Sequence, residues 1–594
     1  MSLLAILGRR SPSMRAVVLL MLLGVTRCLS AQTSTDSIDR TNAQQTRTQA
    51  TDTTVLSTNP RPMKASSELV VVCAESFRGV VSDWVKRRRL QGMSVEVISP
   101  EIDAESTKES VKAAFLRLEK AEVDAEGEQP QRPIRAKHVP DRVLRRYLFL
   151  VGDTPVIGTK CDLSLQVPTF YVASKVTQKW GSTPTLPTDF LYSDLDGDSE
   201  PEVAVGRLPV DLASQFESWS ERLREREESE DFGSWRTQVQ LVGGVGGFGF
   251  VADRAIETVA RTVVTGVLPT AVRTHVLYGS PGHRFYPSTD TFTEAVVSQF
   301  SQGCRFWVYA GHGQVTALDR VPQGRDGIPV LDRASVLQLR CEAERAPIAL
   351  LLACYTAATD AAEDSLAESL LFASGGPVAV IGGSRVTMPY GNAALAVGLI
   401  HAIYVEQHDC LGDQWLSAQR SLLRSLQPPN VSAEGDRSGG QTEEEVEVGQ
   451  SARVMIDGLA SLLSPPGFSL LEERTEHVQL YGLLGDPTQR MNQPEKVTIN
   501  VPAGIDAGQA VIPVVQSPIS GTLVLRIDRP LGASFAGDPN DTLVGSCEMN
   551  LLAGQATECA VELRPEVTGP IVLRATVSKK GSMAIGSAKT IIRQ

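Results

Sequence analysis

Two apolar runs end on residues able to do chemistry. Cys304-Arg305-Phe306-Trp307-Val308-Tyr309-Ala310 leads straight into Gly311-His312-Gly313, and Pro347 through Ala353 leads into Cys354-Tyr355-Thr356. A thiolate is a strong nucleophile, and a nearby imidazole can activate it or protonate a leaving amine. If both runs are strands of an open α/β sheet, His312 and Cys354 leave from their carboxyl ends, where such sheets bind ligands. They stand 42 positions apart, enough for one crossover between neighbouring parallel strands. Glycines on both sides of His312 would permit an unusual backbone there and leave access for a substrate chain. The N–H groups of Gly313 and Cys354 would be natural donors to a developing oxyanion. Taken singly, each residue has a blander reading: a buried structural cysteine and an unrelated turn histidine. The pairing at two strand ends is what favours catalysis.

Two other clusters carry weaker signals. Asp194-Leu195-Asp196-Gly197-Asp198-Ser199-Glu200-Pro201-Glu202 sets carboxylates at alternate positions of a turning loop, the oxygen-rich donor set that Ca²⁺ requires. Asp194, Asp196, Asp198 and Glu202 are the candidate ligands of a structural ion; a solvated acidic turn is the competing reading. The hand-type loop is incomplete, with Ser199 at its glycine position and Val205 at its twelfth. Gly244-Val245-Gly246-Gly247-Phe248-Gly249 matches a dinucleotide-binding fingerprint between a strand and a helix, but Ala260 to Ala271 holds no acid to meet a ribose. It reads better as a glycine-rich loop opening toward the active rim. The remaining histidines, among them His275, His283, His401, His408 and His477, show no metal-ligand spacing.

The elements that must position these residues alternate along the chain. Leu69–Val72, Val95–Ile98, Tyr147–Val151, Val203–Val205, Val239–Val242, Val272–Tyr278, Phe306–Ala310, Ile348–Ala353 and Val378–Ile381 read as strands. Helical segments are expected over 82–90, 108–122, 212–229, 252–265, 291–301, 361–373 and 391–406, then near 454–463 and 477–484. Continuous apolar strands separated by helices imply a doubly wound, mostly parallel sheet covered on both faces. After Pro494 the pattern becomes apolar/polar alternation punctuated by Gly, Pro, Asn and Asp: Val497–Val501, Leu523–Ile527, Ala560–Leu563 and Ile571–Arg574. That is the signature of an all-β sandwich. The expected organisation is therefore an export signal over 1–31, a disordered polar leader over 32–66, and an N-terminal α/β subdomain over 67–232. A second α/β subdomain follows over 233–493, interrupted by a flexible Pro/Gly/Glu-rich loop at 427–450, and a β domain closes the chain over 494–594.

The blocks around these strand ends resemble those of gingipain-type cysteine peptidases, which share the caspase-like fold. Val308–Gly313 is similar to their His-Gly block and Ala349–Cys354 to their Ala-Cys block. Tyr147–Asp153, Pro187–Asp194 leading into Val205–Pro209, and Leu483–Pro487 follow in the family's order. The resemblance spans about Glu68 to Met491, and it implies an endopeptidase with Cys354 as nucleophile and His312 as general acid/base. It also implies an immunoglobulin-like terminal domain. The family's acidic helper falls at Val245 here, so that role has no counterpart. Its specificity acid looks like Asp253. There a carboxylate would favour Arg or Lys at the cleaved bond; Asp253 would also serve as a helix N-cap. A transpeptidase, or an inactive binding protein of the same fold, is the alternative.

Composition narrows the partners. The chain has 594 residues, with 57 Lys plus Arg against 69 Asp plus Glu, a formal charge of −12. An acidic balance argues against nucleic acid, which needs a basic face. Protein or peptide substrates fit the site, and no cofactor is needed for the chemistry. Arg9, Arg10 and Arg15 precede the short apolar stretch Ala16–Val25 and a small-residue cut site at Cys28-Leu29-Ser30, which reads as secretory export to the outside or the cell envelope. No later run is long enough to span a membrane. The β domain would offer a surface for a cell-surface partner. The cysteines are too sparse for a disulfide scaffold, although Cys547 and Cys559 could pair.

Overall fold

The structure is a computed structural model that describes residues 67–127, 145–247, 257–258, 260–323, 326–424, 443–465, 467–533 and 537–594. The predicted export signal and leader, and Asp253, lie outside the described residues.

Ten strands form one sheet: β1 (Ser67–Cys73), β2 (Ser94–Ile98), β3 (Arg145–Val151), β4 (Ala204–Leu208), β5 (Gln238–Gly243), β6 (Arg273–Tyr278), β7 (Phe306–Ala310), β8 (Ile348–Leu352), β9 (Ala379–Gly383) and β10 (Tyr481–Leu484). Their order is β2-β1-β3-β4-β10-β9-β8-β7-β5-β6. Every pairing is parallel except β9 with β10, where Ile381 faces Leu483 in an antiparallel register. The sheet thus passes unbroken through both expected α/β subdomains but reverses direction at β10. Strands β4, β8 and β9 are buried along their whole length, β8 as Ile-Ala-Leu-Leu-Leu, because helices cover both faces.

The helices that matter for the site are α1 (Arg78–Leu90), α2 (Ala104–Gly127), α3 (Ala213–Glu228), α4 (Phe292–Ser301), α5 (Leu366–Phe372), α6 (Pro389–Tyr404), α7 (Leu411–Leu423), α8 (Glu443–Leu463) and α9 (Leu470–Leu480). Helix α6 starts with Pro389 in its first turn, where a missing N–H costs nothing.

Three expectations fail. Residues 477–484 are not one helix: α9 stops at Leu480 and Tyr481–Leu484 is the strand that joins the two halves of the sheet. A short apolar run carries too little periodicity to separate the two states, and sheet pairing decides it. Of the loop expected over 427–450, residues 427–442 lie outside the described residues and 443–450 belong instead to α8; glutamate is a good helix former, and composition alone hid that. Ala560–Leu563 makes only an isolated bridge between Val561 and Val511. Helix α7 went unforeseen altogether.

The C-terminal region forms two further sheets. The larger contains Gly521–Asp528, Leu543–Leu551, Gly569–Lys579 and Ser582–Arg593, and the smaller pairs Thr498–Asn500, Val514–Gln516 and Ala556–Glu558. Inward residues of both, such as Leu523, Leu525, Leu573, Val577, Val515 and Cys559, share one core separate from that of the ten-stranded sheet. This is the sandwich the alternation implied. Cys547 and Cys559 are free thiols; the Cys559 Sγ lies 3.4 Å from the Met549 Sδ, so the bond considered from sequence is not formed.

Candidate active site

Strands β5, β7, β8 and β9 are consecutive neighbours in the sheet and run the same way. Their carboxyl ends deliver four loops to one rim: Gly244–Gly247, Gly311–Gly313, Cys354–Thr356 and Ser384–Met388. The register between β7 and β8 pairs Ala310 with Leu352. His312 and Cys354 each follow two residues later. Two reactive side chains therefore leave adjacent parallel strands at the same level, with strands spaced about 4.8 Å apart. A Cβ added to Gly247 would stand 3.7 Å from the His312 Nε2, so the imidazole faces the glycine-rich loop.

The His312 and Cys354 loops are pressed together. A Cβ on Gly313 would meet the Cys354 carbonyl oxygen at 2.7 Å, the Ala353 Cβ at 2.8 Å and the Thr356 Cγ2 at 2.8 Å. Neither Gly311 nor Gly313 has positive φ. The glycines flanking His312 are required for close approach, not for the unusual backbone expected from sequence. The residue that does occupy the left-handed region is Tyr355, at φ 59°, directly after the cysteine. A non-glycine there is uncommon and is retained where surroundings over-determine it. Here the Tyr355 N–H donates to the Arg385 carbonyl at 3.0 Å, and the Arg385 guanidinium is itself locked to Asp360 by two bonds of 2.8 and 2.6 Å in the buried interior. Among the described residues, the backbone N–H groups of Gly313 and Cys354 meet no acceptor.

The Cys354 Sγ is half-buried and receives the Thr387 N–H at 3.3 Å. Helix α9 fixes that loop from behind. The Met388 N–H donates to the His477 Nε2 at 2.9 Å, so Nδ1 carries the proton and donates to the Glu473 carbonyl at 2.8 Å. Complete burial pushes the His477 pKa down to about 4, which keeps the ring neutral and in that tautomer. On the histidine side, the Tyr309 hydroxyl donates to the His312 carbonyl at 2.8 Å and accepts from the Asp319 N–H at 3.3 Å. The Asp319 carboxylate in turn accepts the Val245 N–H at 2.9 Å, tying the glycine-rich loop to the histidine loop.

The family model for Peptidase family C25 matches residues 63–492. The chain belongs to this gingipain family of cysteine peptidases.

Solved structures similar to the chain include gingipain R, titled an Arg-specific cysteine proteinase, at 16% identity over 89% of this chain and 99% of that one, TM-score 0.45. A structure titled only as a protease aligns at 15% identity over 89% and 97%, TM-score 0.47. Dimeric latent PorU from Porphyromonas gingivalis aligns at 12% identity over 89% and 43%, TM-score 0.30. No curated protein matches the chain.

In this C25 peptidase the acidic loop gathers as expected. Ligand atoms of Asp194, Asp196, Asp198 and Glu202 lie within 4.8 Å of one another. Asp194 receives the Gly197 and Ser199 N–H groups, and Glu202 receives that of Leu195. Ser199 and Gly197 both take positive φ to turn the loop. Each carboxylate oxygen keeps a further lone pair, so the set can hold a hard divalent cation such as Ca²⁺. Desolvation, then crowding by Asp196, Asp194 and Asp198, raises the Glu202 pKa, a repulsion a cation would relieve. No helix among the described residues is long and apolar enough to cross a membrane.

Sequence reasoning missed Thr387, Tyr309 and Asp319. A signal existed for the first: Ser384-Arg385-Val386-Thr387 follows a strand as directly as His312 and Cys354 do, and the same strand-end rule points to it.

Proposed function

We propose that the chain is a cysteine endopeptidase with Cys354 as nucleophile and His312 as general acid/base. His312 takes the Cys354 proton, and the thiolate adds to the scissile carbonyl. The Gly313 and Cys354 N–H groups, which meet no acceptor among the described residues, receive the oxyanion. The C–N bond breaks as the imidazolium returns its proton to the leaving amine. Water, deprotonated by His312, then resolves the thioester and frees the thiol. The reading rests on one observation above the others: the equal offset of His312 and Cys354 beyond the paired residues Ala310 and Leu352.

The same reading extends to specificity. Asp253 would favour Arg or Lys at the cleaved bond through charge pairing. The decisive experiment digests a peptide library with the purified chain and with Cys354→Ala. Cleavage after basic residues should vanish in the variant, by about 10³-fold or more, with an unchanged melting curve. Hydrolysis that persists in Cys354→Ala removes the proposal. Cleavage without a basic preference removes only the Asp253 role.

A further inference from the structure

A chain of hydrogen bonds with one direction leads to the Thr387 hydroxyl, which lies beside the Cys354 sulfur. The Tyr481 hydroxyl, at the first residue of β10, donates to the Asn392 Oδ1 at 2.7 Å. The Asn392 Nδ2, in the first turn of α6, donates to the Thr387 Oγ1 at 3.1 Å. That oxygen lies 3.8 Å from the Cys354 Sγ. An amide has an acceptor end and a donor end, so the polarity passes through it unchanged. With its oxygen already accepting, the Thr387 hydroxyl has its own hydrogen left to give. Two acceptors lie in reach: the Tyr481 hydroxyl oxygen, and the sulfur, which already takes the Thr387 N–H at 3.3 Å and, once ionised, is the stronger acceptor of the two.

We infer that Thr387, oriented by Asn392 and Tyr481, is a positioning residue that supplies two donors to the Cys354 thiolate and so favours its ionised form. This deepens the peptidase reading and rests on it for its purpose. Donors aimed at a charged sulfur stabilise that charge relative to the neutral thiol, and hydrogen bonds to charged groups are stronger than neutral ones. The site is built for the task. Thr387 and Tyr481 are buried, and three elements (the loop after β9, the start of α6 and the start of β10) meet in the network that holds the Thr387 hydroxyl.

Other charged and titratable groups surround the thiol and must be held constant. These are His312 and Tyr309 from the β7 side, the Arg385–Asp360 pair beneath Tyr355, Asp319 beyond Tyr309, and His477 behind Met388. The test varies none of them.

The measurement is the rate of iodoacetamide alkylation at Cys354 against pH, read by mass of the peptide that carries it, in the full chain. Cys354→Ala provides the blank for Cys161 and Cys547, which are also partly exposed. Thr387→Val removes the hydroxyl but keeps the backbone donor. Its alkylation profile should move upward by about one pH unit, a roughly tenfold lower rate on the acidic limb. Thr387→Ser should restore the parent profile. A Thr387→Val profile that coincides with the parent overturns the inference, and so does a shift of equal size in Thr387→Ser, which would mean packing and not the hydroxyl. If Thr387→Val does not fold, Asn392→Ala is read the same way, since it removes the group that orients the hydroxyl. Alkylation does not depend on hydrolysis. A shifted profile in a chain that cleaves nothing sinks the peptidase reading and leaves this inference standing, while an active peptidase with an unshifted profile does the reverse.

Discussion

His312 and Cys354 were legible because their types are rare and each follows a long apolar run. Thr387, Asn392 and Tyr481 were not, because a threonine, an asparagine and a tyrosine mean little until three separate elements bring them together. The same holds for Gly313. Sequence pointed to glycine around His312, but only the packed loops show that its missing Cβ is what lets the histidine loop lie on the cysteine loop. Gly313→Ala would place a methyl 2.7 Å from the Cys354 carbonyl oxygen. Backbone on that side has little room to yield, so the two loops should separate. The expected result is a fall in kcat/KM of about 10²-fold, since a misplacement of about 1 Å can cost that much. Stability should drop by only about 1–3 kcal/mol. Peptide hydrolysis alongside a thermal melt checks it; a variant with the parent's rate shows that the spacing is set elsewhere.

Among the elements, the strands of the parallel half were read almost to the residue, because strands buried on both faces announce themselves as continuous apolar runs. Strand β10 was not, since four residues between a helix and Gly485 carry no period of their own. Helix α5 shows how a short element holds the site. Its Leu366 N–H donates to the Val315 carbonyl at 2.6 Å and its Ala367 N–H to the Thr356 carbonyl at 2.9 Å, joining the histidine and cysteine loops. The helix is capped reciprocally by Ser365 and Glu368. Burial pushes the Glu368 pKa from 4.5 up to about 8, with Asp153 and Asp364 adding repulsion. The folded chain therefore holds a proton there that the unfolded chain releases. This contribution to stability is complete below about pH 4.5 and drains away as pH rises to about 8. Asp153, raised to about 7 by burial, acts in the same direction. Glu368→Gln cannot lose that proton. Its melting temperature should fall less than the parent's between about pH 5 and pH 8, and equal losses in both chains would show that Glu368 is not the source.

At the scale of the whole molecule, the β sandwich does more than follow the catalytic region. Strand β6 is one edge of the ten-stranded sheet, and an open edge invites pairing with another chain. Asn540, from the turn before Leu543–Leu551, closes it: its Nδ2 donates to the Val276 carbonyl at 3.0 Å while its Oδ1 accepts the Val276 N–H at 2.8 Å. One side-chain amide thus satisfies the backbone of one edge residue as a neighbouring strand would. Arg574 and Arg284 fasten the same side, donating to the Thr270 carbonyl at 2.7 Å and the Gly532 carbonyl at 2.6 Å. Asn540→Ala should therefore act on association before it acts on catalysis. Loss of two bonds to a half-buried peptide group costs about 1–3 kcal/mol, and the freed edge should raise light scattering on mild heating. Cys354 alkylation should be unchanged, because β5 separates β6 from the strand that carries His312. If scattering follows the parent's curve, the sandwich docks on the sheet without guarding its edge.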